Sequence, residues 1–461
     1  MKKLLLSLAI LLGSLVTATG ANSMAPIDSL RADILSRVSG AVIPEATASI
    51  LDFGAKGDGK RDCKKAFDKA MRHAARKGGL HLTIPAGAYY IGGPITLTDN
   101  VCLDLAEGAT LLFSPDATDY PLVSTGWEGT YLQNYSPMIY ARGCRNVSII
   151  GCGTIDGNAG ETFAKWKPMQ RPGLQRSRDM NHAETPVEER NFGEGWYLRP
   201  HHIQFYECEG VTVEGVKITN SPFWCLHLLK SSNIILRGIR YDAKLVNNDG
   251  IDPESSRDIL IEDIHFNNGD DNIAIKSGRD NDGWRLGAPT ENILIRNCHF
   301  KGLHAVVIGS EMSGGVRNII VEDCDYAGYV KRGIYVKTNP DRGAFVENIY
   351  VRNVTLDEVE DLFYITSKYA GEGLDNDKFT RIRGIHVDGL RCRKASGAAL
   401  VLQGTAQEPV TDVTFDNVNV GEARTGISFS NTRNVRIDNS VIGTPADVPT
   451  QVTAGDKIFE R

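Results

Sequence analysis

From Asn146 onward one short phrase returns ten times: an Asn, Asp or Gly, then alternating apolar residues, then a turn. It reads Asn146-Val147-Ser148-Ile149, Gly210-Val211-Thr212-Val213, Asn233-Ile234-Ile235-Leu236, Asp258-Ile259-Leu260-Ile261 and Asn292-Ile293-Leu294-Ile295. Asn318-Ile319-Ile320-Val321, Asn348-Ile349-Tyr350-Val351, Gly384-Ile385-His386-Val387, Asp412-Val413-Thr414-Phe415 and Asn434-Val435-Arg436-Ile437 complete the series. Most starts are about 22 to 35 residues apart, the period range of solenoids. Each unit is β-rich and too short to bury its apolar face alone, so the units must stack and share one core. The recurring Asn is expected to form an internal ladder, its amides bonding along the stacking axis. No helical pattern of ten residues or more interrupts the strands, which argues against a doubly wound sheet or a barrel of alternating strands and helices. The fold expected is all-β, a parallel β-helix.

An open β-helix end exposes unpaired strand edges. Asp62 to Lys77 reads as the plug: an amphipathic helix with Ala66, Phe67, Ala70 and Ala74 on one side, ended by Gly78-Gly79. The rhythm breaks from Ala159 to Pro200, a polar stretch with Trp166, Trp196, His182 and several Arg. So long a loop on a solenoid face is often functional.

The start of the chain is a separate matter. Met1-Lys2-Lys3, the apolar run Leu4 to Val16 and the small residues Thr17 to Ala21 read as a secretory signal peptide, too short for a membrane span. The expected division is residues 1–22 signal peptide, 23–48 N-terminal segment and 49–461 catalytic β-helix. Export to the periplasm or the extracellular space follows, with no membrane span. The net charge of −6 becomes −8 once Lys2 and Lys3 leave with that leader. Such a chain does not bind nucleic acid or anionic membrane non-specifically, and an acidic substrate needs a local basic cluster. Nine scattered Cys without a CxxC argue against a zinc site. Most are expected to be small core residues with few or no disulfides.

The chemistry concentrates in two clusters, Asn247-Asn248-Asp249-Gly250-Ile251-Asp252 and Gly269-Asp270-Asp271, about one repeat apart. Taken singly, Asp249 reads as a turn cap, Asp270-Asp271 as a corner or weak Ca2+ site, His304 as structural and Lys337 as solvated. Adjacent strands lie about 4.8 Å apart along a β-helix axis, and Asp249, Asp271, His304 and Lys337 recur at roughly one coil each. They are expected to stack on one face. Carboxylates so close cannot all ionise freely, so one stays protonated as an acid while another serves as base. Inverting glycosidic hydrolysis needs that pair of states.

At these residues the chain resembles glycoside hydrolase family 28, the polygalacturonase family, and its bacterial chain-end-acting branch in particular. The family's Asn-Thr-Asp is similar to Asn247-Asn248-Asp249, its Asp-Asp pair to Asp270-Asp271 within GDDNIAIKSGRD, and its Gly-His-Gly then Gly-Ser to Leu303-His304-Ala305 then Gly309-Ser310. Its Arg-Ile-Lys falls on Tyr335-Val336-Lys337. DFGAKGDGK (Asp52 to Lys60) and RPHHIQFYECEGVTVEGVKITNSPFW (Arg199 to Trp224) extend the likeness. Ser277 to Ile293 and Ser310 to Ile319 resemble the exo-acting branch.

The resemblance implies a right-handed parallel β-helix of inverting hydrolases without a metal or other cofactor. Asp270 would be the general acid, Asp249 and Asp271 would hold and deprotonate the attacking water, and His304 would support the acid or position substrate. Lys337, with Lys276 nearby, would bind the sugar carboxylate by charge-assisted hydrogen bonds. Asn247 and Tyr335 complete the expected substrate contacts. Tyr335 stands where the family has Arg, which removes a bidentate carboxylate donor; whether Arg332 or Arg342 replaces it is open. The expected activity is release of galacturonic acid from non-reducing ends of pectic poly- or oligosaccharides by a monomer. The Ala159–Pro200 loop would wall off one end of the cleft. Rivals are a rhamnogalacturonan linkage, endo action, a Ca2+-dependent pectate lyase and a non-catalytic sugar-binding solenoid.

Overall fold

The computed structural model describes residues 25–374 and 376–445, and the backbone of 451–453 and 459–460. The leader expected at residues 1–22 lies outside them. The chain winds into a right-handed parallel β-helix. Its strands pair in parallel with the corresponding strands of the preceding and following coils. Register keeps like above like. Leu80, Val101, Val147, Val211, Ile234, Ile259, Ile293, Ile319, Ile349, Ile385, Val413 and Val435 form one continuous interior ladder. Leu226, Ile251, Ile273, Val306, Ile334, Phe363, Leu400 and Ile427 form a second. Each such side chain removed from water contributes about 1.5–3 kcal/mol before the entropy of ordering it is subtracted.

The phrase that marks each coil occupies a corner. Asn292 donates its amide to Asp258, Asn318 to Asn292 and Asn348 to Asn318, at 2.9, 3.0 and 3.1 Å. All four residues have φ between 56° and 58°, a left-handed conformation that Asn and Asp tolerate better than other residues with a Cβ. The ladder therefore lies at the bends, partly exposed, and not inside the barrel. There it satisfies side-chain amides where the backbone turns.

Helix α2 (Lys64–Lys77) buries Ala66, Phe67, Ala70, Met71 and Ala74 against the first coil and the main core. It starts two residues later than the sequence pattern indicates. Asp62 is the end of a strand, and its carboxylate accepts from the backbone N–H of Lys64 and of Gly92, fixing the corner from which the helix leaves.

Helix α1 (Ala25–Arg37) was invisible in the segment 23–48. It packs Ile27 and Ile34 onto an outward-facing apolar stripe, Leu260, Leu294, Ile320 and Tyr350, that crosses four coils. From there the chain returns toward the first coil. Ser39 and Gly40 donate to the Asn233 side chain, Ala41 donates to Thr212, and Ala46 accepts from His81.

The stretch 159–200 is also more structured than expected. It carries α3 (Arg171–His182), a 12-residue helix, so a helix does interrupt the strands. Its pattern gave no apolar period because the face it buries is Gly173, Ser177 and Asn181. Asn191–Phe192 adds to the hairpin Leu122–Trp127/Thr130–Tyr135 as a third strand. A fully buried ion pair, Arg190 with Asp282 at 2.6 and 3.1 Å, ties this wall to α4 (Asp280–Leu286). All nine cysteines carry free thiols, eight of them buried.

Candidate active site

The strands of the second ladder end, on their outer side, at a cavity of about 370 Å³. Asp249, Asp270, Asp271, Asn247, Lys276 and Lys337 line it, as do Trp224, Ser310 and Glu311. Asp249 precedes its ladder pair by two residues and sits beside Asp271, the Gly250 N–H donating to the Asp271 carbonyl at 2.9 Å. Asp271 is in register with His304, whose Nδ1 is 2.6 Å from its Oδ1. The expected four-residue stack stops there. The next coil spacing places Arg332, not Lys337, above His304, and Lys337 stands above Gly309 at the other end of the strand. Its ammonium reaches back instead, to Asp271 Oδ2 at 3.0 Å. Lys276 lies at the same end, paired in register with Glu254.

The three carboxylates differ in charge state for physical reasons. Burial pushes Asp271 upward, but Lys337 and the His304 hydrogen bond outweigh it and hold its carboxyl well below the usual range. Burial, then the neighbouring Asp270, Asp252 and Asp271, pushes Asp249 far up. Burial and the charge on Asp271 raise Asp270, opposed by Lys337 and His304. One ionised carboxylate thus faces a pair that competes for a proton. Asp270 is the more exposed of that pair and accepts from the Asn247 amide at 3.2 Å. His304 Nε2 is buried without a hydrogen-bond partner among the described residues. The ring does not line the cavity; it orients Asp271 from behind.

Two expected substrate contacts are placed differently. Tyr335 is 5% exposed and packs edge-on between His304 and Tyr364, away from the cavity lining. Arg332 lies over those two tyrosine rings and pairs with Asp361. Lys276 is buried, 3.1 Å from Glu311 and 4.6 Å above the Trp224 ring. Its ammonium is therefore already neutralised by the protein.

The residues that sequence reasoning left unplaced form the far wall. Arg342 does reach the cavity, its Nε donating to the Ser310 carbonyl. Arg279 bonds Glu311 at 2.5 Å and Glu372 at 2.6 Å. Arg178, on α3, pairs with Glu128 of the hairpin turn at 3.4 Å and with Glu372 at 2.9 Å. Glu128 and Glu372 line the same space. Arg279 and Glu311 sit inside quoted motif stretches and were within reach of the sequence. Glu128, Arg178 and Glu372 come from three distant segments with no shared pattern.

Residues 122–440 match the profile described as glycosyl hydrolases family 28. Residues 47–189 match one described as rhamnogalacturonase A/epimerase, pectate lyase-like. A probable polygalacturonase of Vitis vinifera is 31% identical over 81% of this chain and 74% of its own length. An exo-poly-alpha-D-galacturonosidase of Dickeya chrysanthemi is 27% identical over 70% of this chain and 57% of its own. The crystal structure of a hyperthermoactive exopolygalacturonase from Thermotoga maritima superposes with a TM-score of 0.86 at 37% identity, covering 90% of this chain and 96% of that one. With its acidic triad built on the coils that this family shares, the chain belongs to the glycosyl hydrolases family 28.

Proposed function

We propose that the protein is a polygalacturonase of the exo kind, removing galacturonic acid from the non-reducing ends of pectic galacturonides with inversion at the anomeric carbon. One observation carries the exo reading. The 159–200 wall, fixed by the Arg190–Asp282 pair, and the segment Tyr369–Glu372 meet at the cavity, Arg178 lining it from the one and Glu372 from the other. A groove closed in this way admits the end of a chain and not its middle. The likeness to the Thermotoga and Dickeya enzymes, both named as exo-acting, supports the same mode.

In the mechanism, Asp270 carries the proton and gives it to the glycosidic oxygen as the bond to the anomeric carbon breaks. Burial and the charge on Asp271 raise its affinity for protons, which favours the protonated form that an acid needs. A water held between Asp249 and Asp271 attacks that carbon from the opposite face, and ionised Asp271 accepts its proton. The proton taken up by Asp271 then returns to Asp270 through solvent, which restores both carboxyls for the next cycle. Lys337 keeps Asp271 ionised. Export through the leader places the enzyme where pectic fragments are met.

Product analysis on digalacturonate, polygalacturonate and rhamnogalacturonan tests the reading, with Asp270→Asn as control. Monomeric galacturonate from the first two, appearing as the β-anomer by immediate proton NMR, is the expected result. A ladder of oligomers from polygalacturonate overturns exo action. Release from rhamnogalacturonan alone moves the substrate and leaves the chemistry.

A further inference from the structure

Every cation lining the cavity is already matched by a carboxylate of the chain. Lys337 holds Asp271, Lys276 holds Glu311, Arg279 holds Glu311 and Glu372, Arg342 holds Asp280 and Glu372, and Arg178 holds Glu128 and Glu372. A uronate entering this space finds no unpaired positive charge among these lining residues. Its carboxylate therefore competes for these five cations with those that the protein supplies.

The internal carboxylates are not equally free to yield. Asp271 is 1% exposed and begins a strand, and Asp280 is fully buried at the start of α4. Glu311 also accepts from the Ser310 hydroxyl. Glu372 lies outside the coils, between the long strands Phe345–Thr366 and Arg381–Gln403. Glycine stands on either side of it, and Gly373 has φ +68°. The Tyr369 N–H donates to the Thr338 carbonyl, and Asp341 accepts from the N–H groups of Gly373 and Leu374. The backbone is thus pinned on both sides of residue 372, and a side-chain rotation alone takes the carboxylate out.

Glu372 also has the geometry of a ligand. Its two oxygens receive Arg178 and Arg279 at 2.9 and 2.6 Å on one side and Arg342 at 3.1 Å on the other. Burial pushes this carboxyl up, but the three guanidinium groups outweigh it and keep it ionised. Three guanidinium groups converging on one carboxylate, each through one nitrogen, form an arrangement that recognises an anion through charge-assisted hydrogen bonds.

We propose that Arg178, Arg279 and Arg342 form a uronate-carboxylate site, and that Glu372 occupies it as an internal stand-in until the sugar carboxylate displaces it. The inference rests on the reading that the substrate is a galacturonide. Glu372 then lowers apparent affinity by the fraction of time it fills the site, and removing its charge lifts that penalty.

Calorimetry on the inactive Asp270→Asn protein tests this with galacturonate and galactose as probes, which differ in the carboxylate. Adding Glu372→Gln is expected to tighten galacturonate at least about fivefold while galactose stays unchanged. Adding Arg178→Gln instead is expected to weaken galacturonate and leave galactose alone. Unchanged or weaker galacturonate binding in a folded Glu372→Gln protein overturns the proposal, as does a parallel loss of both sugars, which marks Glu372 as a hydroxyl contact or a purely structural counter-ion. If the glutamine variant does not fold, an Arg178→Gln effect equal on both sugars overturns it. Hydrolysis of digalacturonate by the native chain is followed in parallel. Its failure strikes the proposed function, whereas galacturonate that binds no better to Glu372→Gln strikes only this inference.

Discussion

The inside and the outside of one strand obey opposite rules. In Asp271–Ile275 the inward residue Ile273 stands between Ile251 and Val306, like on like, in a dry stack. Two residues earlier, on the cavity side, Asp271 stands in register with His304, and Asp249 and Lys337 crowd the same carboxylate. The inner stack gains free energy with each coil added, because each new side chain covers the last. The outer cluster concentrates buried charge whose desolvation opposes folding, and it is retained for what it does to protons. Mutations should separate the two: one set lowers stability and spares turnover per folded molecule, the other does the reverse.

The largest effect is expected from Asp270→Asn, which keeps the shape and removes the transferable proton. Turnover of polygalacturonate should fall by on the order of a thousandfold, about 4 kcal/mol of barrier. The melting temperature should hold or rise, because the mutation relieves carboxylate crowding. Reducing-sugar assays beside calorimetric melting check this, and a large drop in melting temperature would contradict the division drawn here. Next comes Ile273→Ala, which opens a cavity in the inner stack. It should lose about 2–5 kcal/mol of stability in denaturant unfolding, with kcat per folded molecule retained.

Lys337→Met sharpens the comparison through pH. The ammonium lowers the Asp271 pKa, so its removal raises it. The acid limb of the kcat/KM profile should then move to higher pH, and activity at the optimum should fall about 10- to 100-fold from the lost charge-assisted contact. The sign extends to stability. A depressed Asp271 contributes stability that is complete above its unfolded pKa and lost as pH falls through the folded one. In the variant that contribution should shrink, and acid unfolding should begin at higher pH. An acid limb that stays put would mean that Asp271 is not the base. The smallest effect belongs to the corner ladder. Asn318→Ala removes two amide bonds and leaves a left-handed residue without its side-chain support, at a cost of about 1–2 kcal/mol, read as a modest drop in melting temperature with unaltered kinetics.

Legibility in the sequence follows the same line. The first inner ladder was readable because the chain must repeat an apolar phrase at coil spacing to make it. The triad was readable because Asp249 and Asp270-Asp271 cluster about one repeat apart, between those phrases. The order of His304 and Lys337 was misread because a coil of 28 residues, not 33, follows His304, which only the strand pairing reveals. The wall was readable as a stretch, 159–200, but not in its contacts: Glu128, Arg178 and Glu372 meet through tertiary folding, and a polar helix buried on Gly173, Ser177 and Asn181 leaves no periodic trace. Helix α1 escaped for a related reason. Its target is an outward stripe that exists only once Leu260, Leu294, Ile320 and Tyr350 have come into register.

That helix also orders events in time. Residues 25–37 leave the ribosome before any coil, yet their seat on Leu260 to Tyr350 is assembled from chain synthesised more than two hundred residues later. The segment must wait, solvated, and dock after the middle of the solenoid has closed, a long-range contact of the kind that slows folding. Between helix and first strand the run Val42-Ile43 stays exposed, at 71% and 45%. Proteolytic nicking there would cut the only covalent tie between latch and barrel while sparing every residue that lines the cavity. Residues 25–37 thus lie halfway along the solenoid, beside its body and not at its tip.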